Sequence, residues 1–349
     1  MTAAAVLQMA RDGRIDLDAA ATRYLPELGT AGITVRHLLS HAAGLPLEES
    51  AEGVAGKSNL DLVRAARGRP LLFKPGTAFS YCNLCTIALA EIVERASGRS
   101  YLETARTRLG LPSGVTLRPA RLADWKGRAI GYRATAPGKF ERFDSWEGEA
   151  FYGAANLSIT ARQLAEWGSR WWQAPLARIR AAATAPAVID GKLSGLTMGN
   201  WYCATGGRRC HYLGHHEGFH HMLYWDVNRG LAVALVSNNA LAPALQQRLQ
   251  RAVVAAAEGR VASARREIAA PMRGRDVAAD RFRLPDGELL SISKTGRAVA
   301  VSRRGIAYPA YPIGDGIRYL PGLDAYVSAS GDGSLHWLTL YEDALARRD

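Results

Sequence analysis

The strongest constraint on the fold comes from residues 73–98, where a turn leads into an apolar helix. The turn contains Pro75-Gly76, and the helical pattern follows Asn83 until Ser97-Gly98 ends it. Tyr81 lies two residues before Asn83. Residues i and i+2 of an extended or turning segment point the same way, so both side chains can face one cleft. A phenol there can move a proton, and an amide can hold a substrate carbonyl.

Helical patterns fill the first part of the chain, and strand patterns follow. Periodicity and capping residues predict helices over Ala3–Arg11, Val35–His41 after an N-cap at Thr34, Leu60–Arg67, Leu84–Ala96, from Thr160 through Trp167 and Trp171, and Ala240–Ala257. An antiparallel meander is predicted from a hairpin at Gly206-Gly207 through Phe219–Asp226 and Leu231–Ser237. Residues 110–158 are rich in Gly, Pro and turn-forming residues and are expected to be irregular.

The pattern changes again towards the C-terminus. Residues 259–275 are basic and Ala-rich and contain Pro271, which indicates a linker. From Asp276 onward short alternating strands are separated by Gly-containing turns, as in a small all-β domain. We therefore predict a main domain over 1–258, a linker over 259–275 and a small all-β domain over 276–349.

Composition limits the classes of partner. The chain has 349 residues, 48% of them hydrophobic, and it contains no apolar run of about 18 residues that could span a membrane. Its formal net charge is +12, but the Arg residues are scattered and do not alternate with aromatic residues along one stripe. This arrangement favours a solvated basic surface over a nucleic-acid footprint. No charged-then-apolar signal peptide is visible at the N-terminus.

The four cysteines form two pairs in the sequence. The hairpin signal at Gly206-Gly207 places Cys203 directly opposite Cys210. That separation suits a disulfide, and two free buried thiols are the alternative. The other pair, Cys82 and Cys85, matches Cys-x-x-Cys, but no βαβ pattern surrounds it. We therefore expect neither redox nor metal chemistry at the second pair.

Several segments together resemble the penicillin-recognising serine hydrolases, the group of class C β-lactamases, D,D-peptidases, D-aminopeptidases and related esterases. The segments are Ala3–Leu17, Ile33–Pro46 with its Leu-Leu-Ser-His and Gly-Leu-Pro motifs, Phe73–Tyr101 with Tyr-x-Asn, and Gly153–Arg162. The resemblance covers residues 1–258. It implies an α/β (α+β) sandwich, in which an antiparallel sheet with a terminal helix faces an all-helical region across a cleft.

The resemblance also implies site residues. Tyr81 and Asn83 match the family's second motif, and His215 best matches the cation or donor of the third, with Gly218-Phe219 similar to its later Gly-Phe. We therefore predict Tyr81, Asn83 and His215 as catalytic, with Asn83 and Gly218 binding substrate. The third motif is imperfect because Glu217 stands where the family has Gly. The alternative for His215 is a strand-edge residue on a polar rim.

The family's first motif, Ser-x-x-Lys, is absent ahead of Tyr81. Because Met1-Thr2-Ala3 matches the continuation of that motif, the alignment would place the Lys two residues before Met1 and the Ser five before. Two expectations stay open. Either the recorded start lies inside a longer gene product, or the chain is a truncated, non-catalytic relative that acts as a binding or remnant protein.

Two local motifs imitate other catalytic signatures. His216–His220 fits the zinc signature His-Glu-x-x-His, which works only on a helix, whereas Gly218 and strand-like runs surround it here. A metal-dependent hydrolase that uses the histidines between 211 and 221 is thus a less favoured alternative. Ser291–Gly296 superimposes Ser-x-x-Lys on Lys-Thr-Gly, but the strand-like residues after it predict a hairpin of the β domain.

The implied function of the intact enzyme is acyl transfer to water. The Ser attacks an amide, ester or β-lactam carbonyl, while Lys and Tyr81 move its proton and backbone N–H groups form an oxyanion hole. We expect no cofactor, and the expected partner is a small-molecule or peptide substrate rather than nucleic acid. The resemblance implies a periplasmic or extracellular location, with Cys203 and Cys210 bridged if the protein is exported. A true start at Met1 would imply the cytoplasm.

Overall fold

The computed structural model describes residues 1–46, 57–117, 126–136, 139–144, 151–155, 157–204, 206–216, 218–240, 243–261, 274–296 and 298–349. The chain divides into two compact units. The first unit contains residues 1–76, 82–185 and 197–241, and the second contains residues 77–81, 186–196 and 242–349.

The helices of the first unit surround one apolar helix, Asn83–Ser97, which we call the site helix. Most of its first eleven residues are buried, because the pattern is apolar on nearly every side. It is contacted by Thr2–Arg11, Val35–Leu39, Asn59–Ala66 and Tyr101–Leu109. The unit also contains the helices Ala161–Ser169 and Arg180–Thr184 and the short 3-10 turns Ala21–Arg23, Pro26–Leu28, Arg170–Trp172 and Leu176–Arg178.

Capping residues decide where these helices begin. Thr34, Ser58 and Thr160 each accept a hydrogen bond from the backbone N–H three residues on, and the side chain there bonds back to the cap. The predicted N-caps at Thr34 and Thr160 are therefore confirmed. The helix after Thr34 ends at Leu39 and not at His41, because His41 has a left-handed backbone with φ +52°.

The predicted meander is part of the largest sheet to which the first unit contributes strands. Its strands Tyr202–Cys203, Arg209–His216, Phe219–Asp226 and Leu231–Ser237 pair antiparallel in chain order. The helix Ala161–Ser169 packs against this meander, and a Cβ at Gly168 would lie 2.7 Å from Leu223. Short strands complete the unit at Thr116–Leu117, Tyr132–Ala136, Lys139–Arg142, Leu157–Ser158 and Asn239–Ala240. Part of the segment expected to be irregular is thus strand.

The second unit contains a nearly closed antiparallel sheet of nine strands. Four strands from Asp280–Arg283 to Ile306–Pro309 form one meander, and four from Tyr311–Gly314 to Leu335–Leu338 form another. The strand Asp343–Arg348 pairs with one strand of each meander. The remaining strands are Leu289–Thr295, Ala298–Arg303, Ile317–Leu320 and Ala325–Ala329, and the unit also holds Pro186–Ile189 and residues 192–196 of the strand Lys192–Thr197.

The helix Pro243–Ala257 belongs to the second unit. Gln247 Nε2 donates to the carbonyl oxygen of Leu338 at 3.3 Å, and Arg251 Nη1 donates to that of Thr339 at 2.6 Å. These contacts join the helix to the strands near the C-terminus, and the predicted packing of a terminal helix against the main sheet stays a prediction. Residues 262–273 of the linker predicted over 259–275 lie outside the described residues, and the predicted domain boundaries stay a prediction.

The expected combination of helices, antiparallel sheet and C-terminal all-β domain is confirmed. Ser291–Gly296 forms a hairpin with Ala298–Arg303, as predicted, since Thr295 pairs with Ala298. The helix Tyr101–Leu109 was not predicted, because it is short and polar on most of its surface. No helix among the described residues is long and apolar enough to cross a membrane.

Candidate active site

The start of the site helix positions Tyr81 and Asn83. Cys82 is the N-cap of the helix, and Asn83 is its first residue. The backbone N–H of Cys82 donates to Nδ1 of His41 at 3.2 Å, and both residues are buried. His41 lies 41 positions earlier, inside the Leu-Leu-Ser-His motif. One buried hydrogen bond therefore joins the two sequence motifs that carry most of the family resemblance.

The chain on either side of His41 also contacts the segment that leads to the helix. The N–H of Gly76 donates to the carbonyl of Ala42 at 2.8 Å, and the N–H of Leu72 donates to that of Gly44 at 2.7 Å. A Cβ at Gly44 would lie 2.2 Å from the carbonyl oxygen of Phe73. This close backbone approach explains the Gly of the Gly-Leu-Pro motif.

His41 is neutral in the folded protein. Its side chain is 1% exposed, and this burial lowers its pKa from 6.5 to about 4. A neutral imidazole can accept the Cys82 N–H at Nδ1. A protonated imidazole would carry a hydrogen at Nδ1, and two N–H groups would then face each other. The buried histidine is thus an acceptor that fixes the turn before the site helix.

Tyr81 and Asn83 differ in exposure although Cys82 alone separates them. Tyr81 is 37% exposed, whereas Asn83 is half-buried and Cys82 is 5% exposed. Tyr81 is therefore partly open to solvent next to a buried Cys82. Such a position suits a group that exchanges protons with a bound substrate.

The second pair of predicted residues lies on the histidine hairpin, formed by Arg209–His216 and Phe219–Asp226. His215 pairs across the hairpin with His220, and their rings are stacked with centroids 5.8 Å apart. The residue is exposed, yet neighbouring atoms partly desolvate the ring and lower its pKa. A largely neutral imidazole at the end of a strand can donate or accept a hydrogen bond.

Gly218 is buried, and the three atoms nearest to a Cβ placed there all belong to backbone. Its N–H donates to the carbonyl of Phe143 at 2.7 Å, and a Cβ there would lie 2.3 Å from the nitrogen of Tyr132. The same Cβ would lie 2.5 Å from the carbonyl carbon of Gly131. The structure therefore gives Gly218 a packing reason, while its predicted role in substrate binding stays a prediction. Glu217 lies outside the described residues.

The zinc-like motif does not form a helix. His216 pairs with Phe219 across the turn of the hairpin, so His216 and His220 lie on two different strands. Within the described part of the chain, no cluster of three or more His, Cys, Asp or Glu is placed to hold a metal ion. The geometry that the zinc signature requires, two histidines one turn apart on a helix, is therefore not met.

The structure thus brings the predicted residues together in two pairs, Tyr81 with Asn83 and His215 with Gly218. His41 was not predicted as a site residue, because its importance depends on a contact between distant segments. Nor was the disulfide between Cys82 and Cys85, whose Cα atoms lie 5.2 Å apart. The Cys-x-x-Cys spacing at a predicted helix start was the available signal. The other predicted pair, Cys203 and Cys210, is bonded as expected across its strands.

The family model described as Beta-lactamase matches residues 1–258. The chain belongs to the beta-lactamase family. The match includes both sequence motifs joined at His41 and Cys82, together with the histidine hairpin. The resemblance inferred from the sequence is therefore confirmed.

Two curated relatives match shorter segments. Penicillin-binding protein 4* of Bacillus subtilis (strain 168) is 29% identical over 121 residues, which cover 33% of this chain and 27% of that protein. Protein flp of Staphylococcus aureus (strain COL) is 27% identical over 180 residues, which cover 48% of this chain and 35% of that protein. The matched part thus spans only about a quarter to a third of these relatives' lengths.

Solved structures agree on the fold. FmtA from Staphylococcus aureus aligns with a TM-score of 0.60 at 18% identity, covering 79% of this chain and 76% of FmtA. SurE aligns with a TM-score of 0.59 at 24% identity, covering 99% of this chain and 85% of SurE. A D-stereospecific amidohydrolase from Streptomyces sp. aligns with a TM-score of 0.53 at 19% identity, covering 68% of this chain and 78% of that one. At these identities the alignments establish the fold alone.

Proposed function

We propose that this chain carries the proton-transfer and substrate-positioning part of a serine hydrolase that transfers an acyl group from an amide, ester or β-lactam to water. The observation that carries the proposal is the buried His41–Cys82 hydrogen bond, which fixes the turn holding Tyr81 and Asn83. A fixed turn lowers the cost of orienting catalytic groups, because the folded protein has already restricted their motion.

Each residue has a role in the proposal. Tyr81, together with a Lys, takes the proton of the nucleophilic Ser and returns it to the leaving group. Asn83 donates from its amide to a substrate carbonyl, and His215 lines the opposite wall of the site. No Ser-x-x-Lys pair precedes Tyr81 in this sequence. In the proposal, that pair is supplied by sequence encoded ahead of Met1.

The second candidate function is a non-catalytic binding protein. The absence of Ser-x-x-Lys ahead of Tyr81 favours it, since a site without a nucleophile can still hold an acyl compound. The in-frame DNA ahead of Met1 distinguishes the two candidates. A Ser-x-x-Lys series there supports the enzyme, and a ribosome-binding site directly before Met1 supports the binding protein.

An acylation experiment tests the enzyme directly. The 349-residue chain and a version extended by the upstream in-frame sequence are incubated with a fluorescent penicillin and with a fluorophosphonate probe. We expect no label on the 349-residue chain and one adduct, on the Ser of Ser-x-x-Lys, in the extended version. A stable adduct mapped to a Ser within residues 1–349, for example Ser291, would contradict the proposal.

The first substrates to assay are suggested by the neighbours. One solved neighbour is described as a D-amino acid amidase from Ochrobactrum anthropi SV3, with a TM-score of 0.52 at 20% identity, and others are penicillin-binding proteins. We therefore propose amides of D-amino acids, with chromogenic esters and a chromogenic β-lactam assayed beside them. The extended version with Tyr81→Phe serves as the matched control for background hydrolysis.

A further inference from the structure

The disulfide between Cys82 and Cys85 lies inside the first turn of the site helix. Cys82 is the N-cap of this 15-residue helix, and its Sγ accepts the backbone N–H of Cys85 at 2.9 Å. The other disulfide has a different setting. Cys203 and Cys210 face each other across two antiparallel strands, and neither residue begins or caps a helix in the described part of the chain.

We propose that Cys82–Cys85 is a thiol–disulfide exchange site that reacts with small dithiols, whereas Cys203–Cys210 is a structural bond. The reason is the charge that reduction creates. A thiolate at the start of a helix is stabilised by the unpaired backbone N–H groups of the first turn and by the positive end of the helix dipole. A thiolate on a strand has neither source of stabilisation, so its disulfide resists reduction more strongly.

Exposure determines which sulfur reacts. Cys85 is fully buried, whereas Cys82 keeps 5% exposure. A thiolate of the dithiol therefore attacks Sγ of Cys82, forms a mixed disulfide there and expels the thiolate of Cys85, which takes up a proton. The second thiol of the same dithiol then attacks the dithiol sulfur that is bonded to Cys82, which closes the ring and releases the thiolate of Cys82. Two electrons and two protons pass to the protein, and the dithiol becomes a cyclic disulfide.

The bond is also placed to affect its neighbours. Cys82 lies between Tyr81 and Asn83, and its N–H is held by His41. Opening the disulfide removes a covalent restraint on the turn that carries both residues. This consequence rests on the proposed function, whereas the exchange reaction itself does not, so the experiments below measure thiols and not hydrolysis.

The first experiment compares the two disulfides within one molecule. The fully oxidised 349-residue chain is equilibrated under native conditions with mixtures of reduced and oxidised dithiothreitol, quenched with acid, alkylated and mapped by mass spectrometry. We expect Cys82–Cys85 to open at a ratio at least about tenfold less reducing than Cys203–Cys210, which corresponds to about 30 mV for a two-electron couple. Equal ratios, or Cys203–Cys210 opening first, would overturn the proposal.

Exposure alone predicts the opposite order. Cys203 is half-buried and therefore more accessible to a reagent than Cys82. If access controlled reduction, Cys203–Cys210 would open first. The order of opening thus separates stabilisation by the helix from simple accessibility, and it needs no variant that could fail to fold.

A second experiment measures the released thiolates. Cys85→Ser leaves Cys82 as a single thiol at the helix start, and the matched control Cys210→Ser leaves Cys203 on its strand. The pH of half-maximal alkylation reports the pKa of each thiol independently of its exposure. We expect the value for Cys82 to lie at least about one pH unit below the ordinary 8.5 and below that of Cys203. A value for Cys82 at or above 8.5 would refute the exchange site.

Discussion

The start of the site helix and the histidine hairpin hold the two pairs of predicted site residues, but different forces fix them. The helix start is anchored by a buried hydrogen bond between residues 41 positions apart, and by two backbone hydrogen bonds from the segment before it. The hairpin is positioned by strand register, with His215 opposite His220, and by the close approach of Gly218 to Gly131. The first region tolerates little local change, because its anchor is polar and buried.

This difference shows what each kind of motif reports. Tyr-x-Asn occurs together with Leu-Leu-Ser-His, because the N–H of Cys82 donates to His41 and the two segments must fit each other. Two motifs that must occur together are easier to recognise than one. The family's third motif, on the hairpin, is recognised from residue spacing alone. Because its match at His215 is imperfect, His215 can be either a site residue or a strand-edge residue on a polar rim. The substitutions below test whether the helix start carries the chemistry and the hairpin carries mainly structure.

The largest effect is expected at Tyr81. If the extended version is the proposed hydrolase, Tyr81→Phe removes the hydroxyl of the proposed proton path and keeps the ring, so turnover should fall by about 10² to 10⁴, or roughly 3 to 5 kcal/mol. The control His216→Ala, on the hairpin, should change turnover only a few-fold. Both variants are assayed on a chromogenic ester, with thermal unfolding to verify the fold. Loss of activity in His216→Ala together with retention in Tyr81→Phe would favour a metal hydrolase instead.

Gly218→Ala should destabilise the hairpin strongly. The new Cβ would lie 2.3 Å from the nitrogen of Tyr132 and 2.5 Å from the carbonyl carbon of Gly131, and backbone atoms cannot move aside easily. We expect a loss of about 3 kcal/mol in the free energy of unfolding, at the upper end of overpacking effects. Gly331→Ala is the control, since nothing lies within 4 Å of its Cβ. Equal stability of the two variants in urea would contradict the packing role of Gly218.

Replacing Cys203 and Cys210 by Ala should weaken the same region by a smaller amount. The bond closes a short loop with a sequence separation of 7 residues. Loss of so short a loop restraint corresponds to about 2.5 kcal/mol of unfolding free energy in the chain-entropy model. Urea unfolding of the oxidised chain and of the double variant measures the difference. Mass mapping of protein purified from the periplasm should find the bond, and two alkylated thiols there would contradict it.

His41 should make the stability of the helix start depend on pH. Its folded pKa of about 4 lies below the ordinary 6.5, so between these values the unfolded chain binds a proton that the folded chain does not. Stability is therefore lost as pH falls from 6.5 towards 4, at about 1.4 kcal/mol per pH unit.

The measurement compares urea unfolding at pH 7 and pH 5. Between these values the wild-type chain should lose about 2 kcal/mol more than His41→Asn, whose side chain does not titrate. Asn also accepts a hydrogen bond and tolerates the left-handed backbone at this position. An identical pH dependence of the two proteins would show that His41 is not held neutral by burial.

Local chemistry explains which parts of the fold were predictable. Thr160 caps its helix with Gln163, and Gly206-Gly207 sets Cys203 opposite Cys210, because both effects act over a few residues. Tyr81 and Asn83 were found through a motif, and their place at a helix start followed from the pattern beside them.

Contacts between distant segments explain what was missed. Nothing near His41 indicates that its partner is the N–H of Cys82, and nothing near Gln247 indicates that it bonds to Leu338. The disulfide of Cys82 and Cys85 was set aside because no βαβ unit surrounds it. The start of a helix brings the two sulfurs together as well as a βαβ unit does. That geometry depends only on where the helix begins.

The nine-stranded sheet has a consequence for synthesis on the ribosome. Its two four-stranded meanders, ending at Ile306–Pro309 and Leu335–Leu338, are joined through Asp343–Arg348. Each meander can form hairpin by hairpin as it emerges, because its pairings are local. The edges at Asp280–Arg283 and Leu335–Leu338 stay unpaired until residues 343–348 have left the exit tunnel. During that interval the nascent chain exposes two more open strand edges than the finished sheet, which makes it a target for chaperones and for misassembly with a neighbouring copy.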